Sequence, residues 1–180
     1  GFQWTSHSGL SYGGVISGFL SQRKILEILS ELLIYFRKTG IHKILIKLIP
    51  DIYCQYNQQA IHYALFKYGF DLIRRDASST IFLDQKHKLY KGRNSSIKRA
   101  LKNELIINES NDYNQFMILE NEVLQKKYNK NAVHSAKEIQ FLAENFKDNI
   151  KLIIATKNSE LLAGGIIYMV GFVMHLQYFS

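Results

Sequence analysis

The sequence predicts an α/β fold with mixed, largely antiparallel sheets. Two segments, 23–38 and 57–68, carry apolar residues at the helical period, and further helical patterns follow Asp112. Short β-branched runs bounded by turn residues alternate with these segments, and the last three, between Lys151 and Ser180, follow one another as a meander. Helices that alternate with hairpin-connected strands indicate an α/β mixture and argue against a helical bundle or a closed barrel.

The first half of the chain predicts the order strand, helix, strand, helix, strand, strand. Its first helix has one wide apolar stripe that includes Ile25, Leu29 and Leu32, and Gly40 marks its end. The strand that follows is apolar on both faces, which is typical of a central buried strand. The predicted segments are, in order, 7–16 (running into a Gly-rich turn), 23–38, 41–49, 57–68, 70–75 and 78–83.

The second half predicts the order helix, strand, helix, helix and three strands. A helix over 92–102 has Ser95 or Ser96 as its expected N-cap, and a short strand follows it at 105–109. Asp112-x-x-Gln115 and Ser135-x-x-Glu138 are capping-box patterns that open the next two helices. Ten apolar side chains across both halves should be buried: Ile25, Leu29, Leu32, Ile44, Ile46, Leu65, Phe116, Leu142, Ile153 and Ile166.

Composition and charge bound the possible functions. The 180 residues are 47% hydrophobic, which is ample for a core and excludes a disordered chain. No apolar run approaches the roughly 20 residues that span a bilayer, and the single Cys54 excludes a disulfide framework and a Cys-based metal site. The net charge is +8, and residues 85–103, the basic block, hold seven basic residues and no acid. Such a block favours nucleic acid, phosphates or an anionic membrane surface, although a solvated linker and helix face would have the same composition.

The ends of the chain are abrupt. It opens on Gly1-Phe-Gln-Trp4 without an initiator Met, and it stops within a strand pattern at Tyr178-Phe179. We therefore interpret the chain as an internal fragment of a longer protein. The predicted organisation is a first lobe over 1–84, the basic linker and helix over 85–103, and a second lobe over 104–180.

Several segments resemble one family of bacterial proteins. They are His7-Ser-Gly-Leu-Ser-Tyr-Gly-Gly14, Lys47-Leu-Ile-Pro-Asp-Ile-Tyr53, Ile73-Arg-Arg-Asp-Ala-Ser-Ser-Thr80, Lys91-Gly-Arg-Asn-Ser-Ser-Ile-Lys-Arg-Ala100 and His175-Leu-Gln-Tyr178. The family is that of the tandem GNAT acyltransferases related to FemA, FemB and FemX. The resemblance implies that the chain holds the back part of a first GNAT-like lobe and the front part of a second, truncated after its fourth strand.

The resemblance also implies an activity and a set of site residues. Such proteins transfer an acyl or aminoacyl group to an amine, often on a cell-wall precursor or a sugar nucleotide, in the bacterial cytoplasm. The donor would be an acyl-CoA such as acetyl-CoA, or an aminoacyl-tRNA, and the acceptor an anionic small molecule such as a nucleotide-sugar, with no metal. The residues expected to act are catalytic His175, Gln177 and Tyr178 on the strand that would border the donor, and Tyr12, Gly13 and Gly14 at the donor phosphates.

Arginine and lysine side chains are the candidate acceptor contacts, because guanidinium groups bind phosphate and carboxylate in a bidentate manner. They are Arg74, Arg75, Arg93, Lys98 and Arg99.

Two alternative functions stay open. One is a module associated with tRNA or other nucleic acid, and the other is a noncatalytic GNAT-like binding module. The aromatic residues do not interleave with the basic block as a nucleic-acid stacking platform would, which argues against an autonomous nucleic-acid binder.

Overall fold

The structure, a computed structural model, describes residues 1–7 and 12–180. It confirms a mixed α/β fold with two sheets, and its residues form two compact units, 1–79 and 80–180. The helices are α1 (Gln22–Lys38), α2 (Gln59–Lys67), α3 (Lys91–Lys102), α4 (Tyr113–Tyr128) and α5 (Ala136–Asn145), with a short 3-10 turn at Asp51–Tyr53. The strands are β1 (Phe2–Thr5), β2 (Ile41–Leu45), β3 (Ile106–Ser110), β4 (Ile150–Lys157), β5 (Glu160–Val170) and β6 (Val173–Phe179).

The first unit is built on a parallel pair of strands, β1 and β2, that α1 connects. The Ser21 hydroxyl caps the start of α1 by accepting a hydrogen bond from the Lys24 amide. Gly40, with a φ of +75°, ends the turn that leads from the helix into β2. A small core forms where α1 packs on α2, and its buried residues are Leu29, Ile61, Ala64 and Leu65.

Four strand predictions in this unit need correction. The first strand lies at Phe2–Thr5, and the predicted segment 7–16 falls partly outside the described residues. The predicted strand over 41–49 ends at Leu45 and is not central, because β1 is its only neighbour among the described strands. Residues 70–75 and 78–83, all of which the structure describes, form no strand, so those two predictions are wrong.

The reason for the missing strands is that a strand depends on a partner more than on its own composition. Residues 71–83 are exposed along their whole length, so their β-branched and aromatic side chains gain nothing from packing. Residues 69–75 and residues of β2 line a groove of about 720 Å³, and no ladder joins the two segments in the described structure.

The second unit confirms the predicted order of elements. Its sheet has the order β3-β4-β5-β6 and is antiparallel throughout. Helices α4 and α5 pack on one face of this sheet, where the buried residues are Tyr113, Phe116, Met117, Ile139, Ala143, Ile150, Leu152, Ile166 and Tyr178. Gly164 lets β5 approach α4, because a Cβ at this position would lie 2.9 Å from Cδ2 of Phe116.

The predicted core is confirmed in part. Leu29, Leu65, Phe116 and Ile166 are buried, whereas the other six predicted residues are half-buried. Those six are Ile25, Leu32, Ile44, Ile46, Leu142 and Ile153. The half-burial of Ile153 has a clear cause, since it faces away from α4 and α5 on the side of the sheet where Met174 and Leu176 are exposed.

Candidate functional site

A cluster of polar side chains lies where the end of β6 meets α4 and the segment before α5. Its central contact joins the Tyr178 hydroxyl to His134, whose backbone N–H donates to Oη over 3.2 Å and whose Nδ1 lies 2.6 Å from Oη. The two rings are nearly perpendicular, with centroids 5.9 Å apart. Glu120 and Ser180 complete the group, which we call the Tyr178 cluster.

Local structure fixes the position of His134. The next residue, Ser135, is the N-cap of α5 and forms the predicted capping box with Glu138. Its hydroxyl accepts from the Glu138 amide, and the Glu138 carboxylate accepts from the Ser135 amide over 2.7 Å. Because these bonds hold the backbone of Ser135, the imidazole of His134 is directed at Tyr178 before any ligand is bound.

A β-bulge turns Tyr178 toward the helices. Tyr178 pairs with Ile166 and Leu176 pairs with Ile167, so Gln177 is an extra residue between two successive pairs of the β5–β6 ladder. Without it the strict alternation of a strand would place Tyr178 on the same face as the exposed Leu176. With the bulge, Tyr178 is 8% exposed and belongs to the core of the second unit.

Glu120 brings a buried carboxylate to the cluster. It is 4% exposed, and the hydroxyl of Ser180 donates a short hydrogen bond to its Oε2. Within residues 1–7 and 12–180, none of the ion pairs includes this carboxylate. A carboxylate taken out of water is costly unless polar partners compensate it, and the Ser180 hydroxyl is such a partner.

Electrostatics keeps the Tyr178 hydroxyl protonated at neutral pH. Burial raises the pKa of this phenol, and the nearby charge of Glu120 raises it further. Hydrogen bonds from the His134 and Val133 backbones and from the Gln177 side chain act in the opposite direction without cancelling the rise. Since these donors occupy the acceptor capacity of Oη, we infer that its own proton is donated to Nδ1 of His134, which leaves Nε2 as the protonated ring nitrogen.

Tyr168 borders the same cluster from the neighbouring strand. Its hydroxyl is the buried side-chain oxygen that has no hydrogen-bond partner among the described residues. Burial raises the pKa of Tyr168 to about 12, with smaller contributions from Tyr178 and Tyr113. An unpartnered buried hydroxyl is destabilising, and a polar atom of a bound ligand would satisfy it.

The structure brings together two of the three predicted catalytic residues. Gln177 and Tyr178 are both in contact within the cluster, whereas His175 lies opposite Tyr168 in the β5–β6 ladder. Sequence reasoning missed His134 and Glu120. The capping box at Ser135 was visible and placed His134 directly before a helix, but no sequence spacing connects residue 134 to residue 178.

The predicted acceptor residues lie elsewhere. Arg74 and Arg75 line the groove of about 720 Å³ in the first unit, together with His42, Lys43 and His62. Both guanidinium contacts of Arg74 go to Asp76, at 2.9 Å from Nε and 2.8 Å from a terminal nitrogen. Arg74 is therefore paired with a neighbouring carboxylate at the surface.

The other three predicted acceptor residues, Arg93, Lys98 and Arg99, lie on α3, none of whose residues is buried. Among the hydrogen bonds and ion pairs of the described residues, none joins these three side chains to the Tyr178 cluster.

Of the predicted donor-phosphate residues, Gly13 and Gly14 lie against the irregular segment that follows β2, and Tyr12 contacts Tyr53. The Gly13 amide donates to the Lys47 carbonyl over 2.9 Å, and a Cβ at Gly13 would lie 2.8 Å from the His7 ring. Gly14 has a φ of +124°, which favours glycine. Because α1 begins only at Gln22, these amides do not form the N-terminus of a helix.

Metal-ligand clusters and membrane-spanning helices are both absent from residues 1–7 and 12–180. No group of three or more His, Cys, Asp or Glu side chains is placed to hold a metal ion in the described part of the chain. No helix within residues 1–7 and 12–180 combines the length and the apolar character needed to cross a membrane. Cys54, the single cysteine, contacts the Pro50 carbonyl at 3.7 Å, and burial raises the pKa of its thiol.

Comparison with known proteins gives no relative from which to transfer a function. No protein-family model matches the chain, and no curated protein matches it. The function therefore has to be inferred from the geometry of the Tyr178 cluster and from the resemblance carried by individual segments.

Proposed function

We propose that the chain is part of an N-acyltransferase whose two units are partial GNAT-type lobes and whose reacting groups lie in the second unit. The observation that carries the proposal is the hydrogen-bonded pair of Tyr178 and His134 beside the buried carboxylate of Glu120. Transfer of an acyl group to an amine requires a proton for the leaving group and the removal of a proton from the attacking nitrogen. A phenol bonded to an imidazole supplies a donor and an acceptor at one place.

The proposed step begins with an uncharged amine that attacks the carbonyl carbon of a thioester. As the C–N bond forms, the C–S bond breaks, and His134 donates its Nε2 proton to the leaving sulfur. Nδ1 then takes the Tyr178 proton across the 2.6 Å hydrogen bond. The new amide nitrogen passes its surplus proton through water to Nε2 of His134, and Nδ1 returns its proton to Tyr178, which restores the starting tautomer. Backbone and amide N–H groups around Oη stabilise the transient tyrosinate.

The substrates of this proposal follow the resemblance. The donor would be acetyl-CoA, another acyl-CoA, or an aminoacyl-tRNA, in which case the leaving atom is oxygen. The acceptor would be an amine on an anionic molecule such as a nucleotide-sugar, bound by the exposed cations Arg93, Lys98 and Arg99. Gly13 is a weaker candidate for the donor phosphates, because its amide is already bonded to Lys47.

The test on the full-length protein is a thiol-release assay with acetyl-CoA and a panel of amino sugars and peptides. Aminoacyl-tRNA is tested separately as a second donor, by transfer of a radiolabelled amino acid to the same acceptors. His134→Asn is the informative variant, because the Asn amide can still bond to Tyr178 from the place of Nδ1 but has nothing at Nε2. We expect a loss of about 10²–10⁴-fold in kcat with a small change in KM, as for the removal of a general acid.

The matched controls separate chemistry from stability. Tyr178→Phe keeps the buried ring and removes the hydroxyl, and it should also lower kcat, whereas Tyr128→Phe changes an exposed phenol on α4 and should leave kcat unchanged. Absence of turnover with every donor would reject the acyltransferase proposal. Turnover that His134→Asn leaves intact would reject this assignment of the reacting groups.

A further inference from the structure

Residues 81–102, which we call the surface segment, expose apolar and basic side chains side by side. Leu83, Leu89, Tyr90 and Leu101 are each more than half exposed, with Tyr90 reaching 84%. The seven basic residues of the basic block lie within this segment, and Asp84 is its one acidic residue. Exposed apolar side chains are destabilising in water when they are grouped, so a concentrated set of them indicates a binding surface.

The cations of this segment are distinguished by their concentration. All seven of them fall within residues 85–103, which contain no acidic residue. None of the ion pairs in the described ranges 1–7 and 12–180 involves a lysine or arginine of the surface segment, and the same holds for Lys126 and Lys127 on α4. The high local density of positive charge without an acid is therefore what favours an anionic partner.

Helix α3 groups its apolar side chains on one side, where Arg93, four residues before Ile97, also lies. Ile97, Ala100 and Leu101 are spaced by three and four residues and form one apolar stripe. Lys91, Lys98 and Lys102 recur at i, i+7 and i+11 and share another side of the helix. No residue of α3 is buried, so the apolar stripe is not used by the core of its own unit.

We propose that the surface segment binds the surface of an anionic lipid membrane, with Ile97 and Leu101 of α3 and the preceding Leu89 and Tyr90 inserted at the interface. An amphipathic helix that carries lysine and arginine beside an apolar stripe lies in the plane of the membrane, where acyl chains cover the stripe and anionic headgroups neutralise the cations. Tyrosine favours this boundary because its ring is apolar and its hydroxyl is polar.

A lipid surface fits these residues better than RNA does. Single-stranded nucleic acid binds through bases stacked on aromatic side chains, and α3 has no aromatic residue among its twelve. A phosphate backbone does not bury the aliphatic stripe, whereas the acyl chains of a lipid remove the stripe from water, which is favourable. Membrane binding thus accounts for the aliphatic and the basic residues together, whereas RNA binding would account for the basic residues and the exposed Tyr90 but not for Ile97 and Leu101.

The inference does not rest on acyl transfer. It uses the exposure and charge of residues 81–102 and no residue of the Tyr178 cluster. It does involve Lys98 and Arg99, which are also proposed acceptor contacts, so the experiment includes a soluble nucleotide-sugar as competitor.

The experiment is co-sedimentation of the full chain with vesicles of phosphatidylcholine alone and of phosphatidylcholine mixed with phosphatidylserine. We expect binding to the mixed vesicles only, weakening as salt rises. Lys98→Gln with Arg99→Gln should weaken that binding about 30-fold, since each cation near an anionic surface contributes about fivefold. Leu101→Gln should weaken it several-fold at all salt concentrations, because it removes apolar contact.

The control is Lys126→Gln with Lys127→Gln, which makes the same charge change on the last turn of α4 and should leave vesicle binding within about twofold of wild type. Circular dichroism would verify that each variant is folded, as expected for exposed positions. Equal losses in the two double variants, or equal binding to both vesicle types, would overturn the proposal. Binding of tRNA with the same affinity by the wild type and by Leu101→Gln would also overturn it. Loss of vesicle binding on addition of UDP-N-acetylglucosamine would do the same.

Discussion

Gly164 and Gly165 offer a sharp test of the fold of the second unit, because these two neighbours on β5 face opposite sides of the sheet. A Cβ at Gly164 would lie 2.9 Å from Phe116 Cδ2 and 3.0 Å from the Ile153 carbonyl oxygen. Phe116 is fully buried, and the carbonyl belongs to the central strand β4, so neither can move away without disturbing the core.

The same substitution at Gly165 meets a more tolerant neighbour. Its Cβ would lie 3.0 Å from Cδ1 of Leu176, the flexible end of a side chain that is 53% exposed. The next contact, at 3.2 Å, is the Tyr178 carbonyl on the edge strand β6. The close contacts at Gly165 can therefore be relieved by a rotamer change of Leu176 and a small shift of the edge strand β6.

The expected magnitudes follow from these contacts. Overpacking a core costs about 1–3 kcal/mol, and replacing glycine by alanine returns about 0.4–1 kcal/mol through the unfolded chain. Gly164→Ala should therefore lower the free energy of unfolding by about 1–2 kcal/mol, and Gly165→Ala should change it by less than about 1 kcal/mol.

Urea denaturation followed by circular dichroism would measure both variants, and hydrogen exchange of β4 and β5 amides would locate the effect in the second unit. Faster exchange in β4 and β5 is expected for Gly164→Ala alone. Equal losses in the two variants, or a larger loss at Gly165, would refute the assignment of Gly164 to the helix-covered face.

The remaining predictions concern a helix cap and a sheet edge. Hydrogen bonds from Ser135 lower the pKa of Glu138 below its ordinary value of 4.5. The cap should therefore stabilise α5 fully above about pH 4.5 and lose its effect as the pH falls through the lowered pKa, and Ser135→Ala should flatten that part of the melting profile. A melting profile unchanged by Ser135→Ala would contradict this. Strand β6 has one paired neighbour among the described strands and exposes Met174 and Leu176, so the chain should self-associate. Leu176→Lys should reduce that association in sedimentation velocity, Phe141→Lys on the exposed side of α5 should not, and a wild-type monomer would contradict the prediction.

The second unit could be predicted from the sequence because its determinants are local. Ser135-x-x-Glu138 opens α5 as expected, and the turn at Asn158–Ser159 separates two strands whose apolar runs are evident in the sequence. The basic helix is predicted over 92–102 and lies at Lys91–Lys102, but the predicted N-cap is wrong. Ser95 and Ser96 lie inside α3 and donate to the carbonyls four residues before them, while the helix begins at Lys91.

The first unit and the cluster depend on partners that are distant in the sequence. Residues 70–83 have the composition of strands, but no neighbouring strand offers them hydrogen bonds in the described structure. The pairing of His134 with Tyr178 spans 44 positions and depends on a one-residue bulge at Gln177. Composition and spacing do not predict such a bulge, because its position depends on how β5 and β6 pair.

The connectivity of the two sheets has a consequence for how the chain acquires its structure. Strands β4, β5 and β6 are joined by short turns, so each ladder can close as soon as its hairpin is made, within about 1–10 μs. The parallel pair β1–β2 brings Phe2 to Ile41 and requires the whole of α1 between them, which carries a larger loop-closure entropy. We therefore expect the carboxyl-terminal meander to form first in refolding and to provide the surface on which α4 and α5 condense. In synthesis from the amino terminus the order is reversed, and the slower parallel unit emerges before the meander exists.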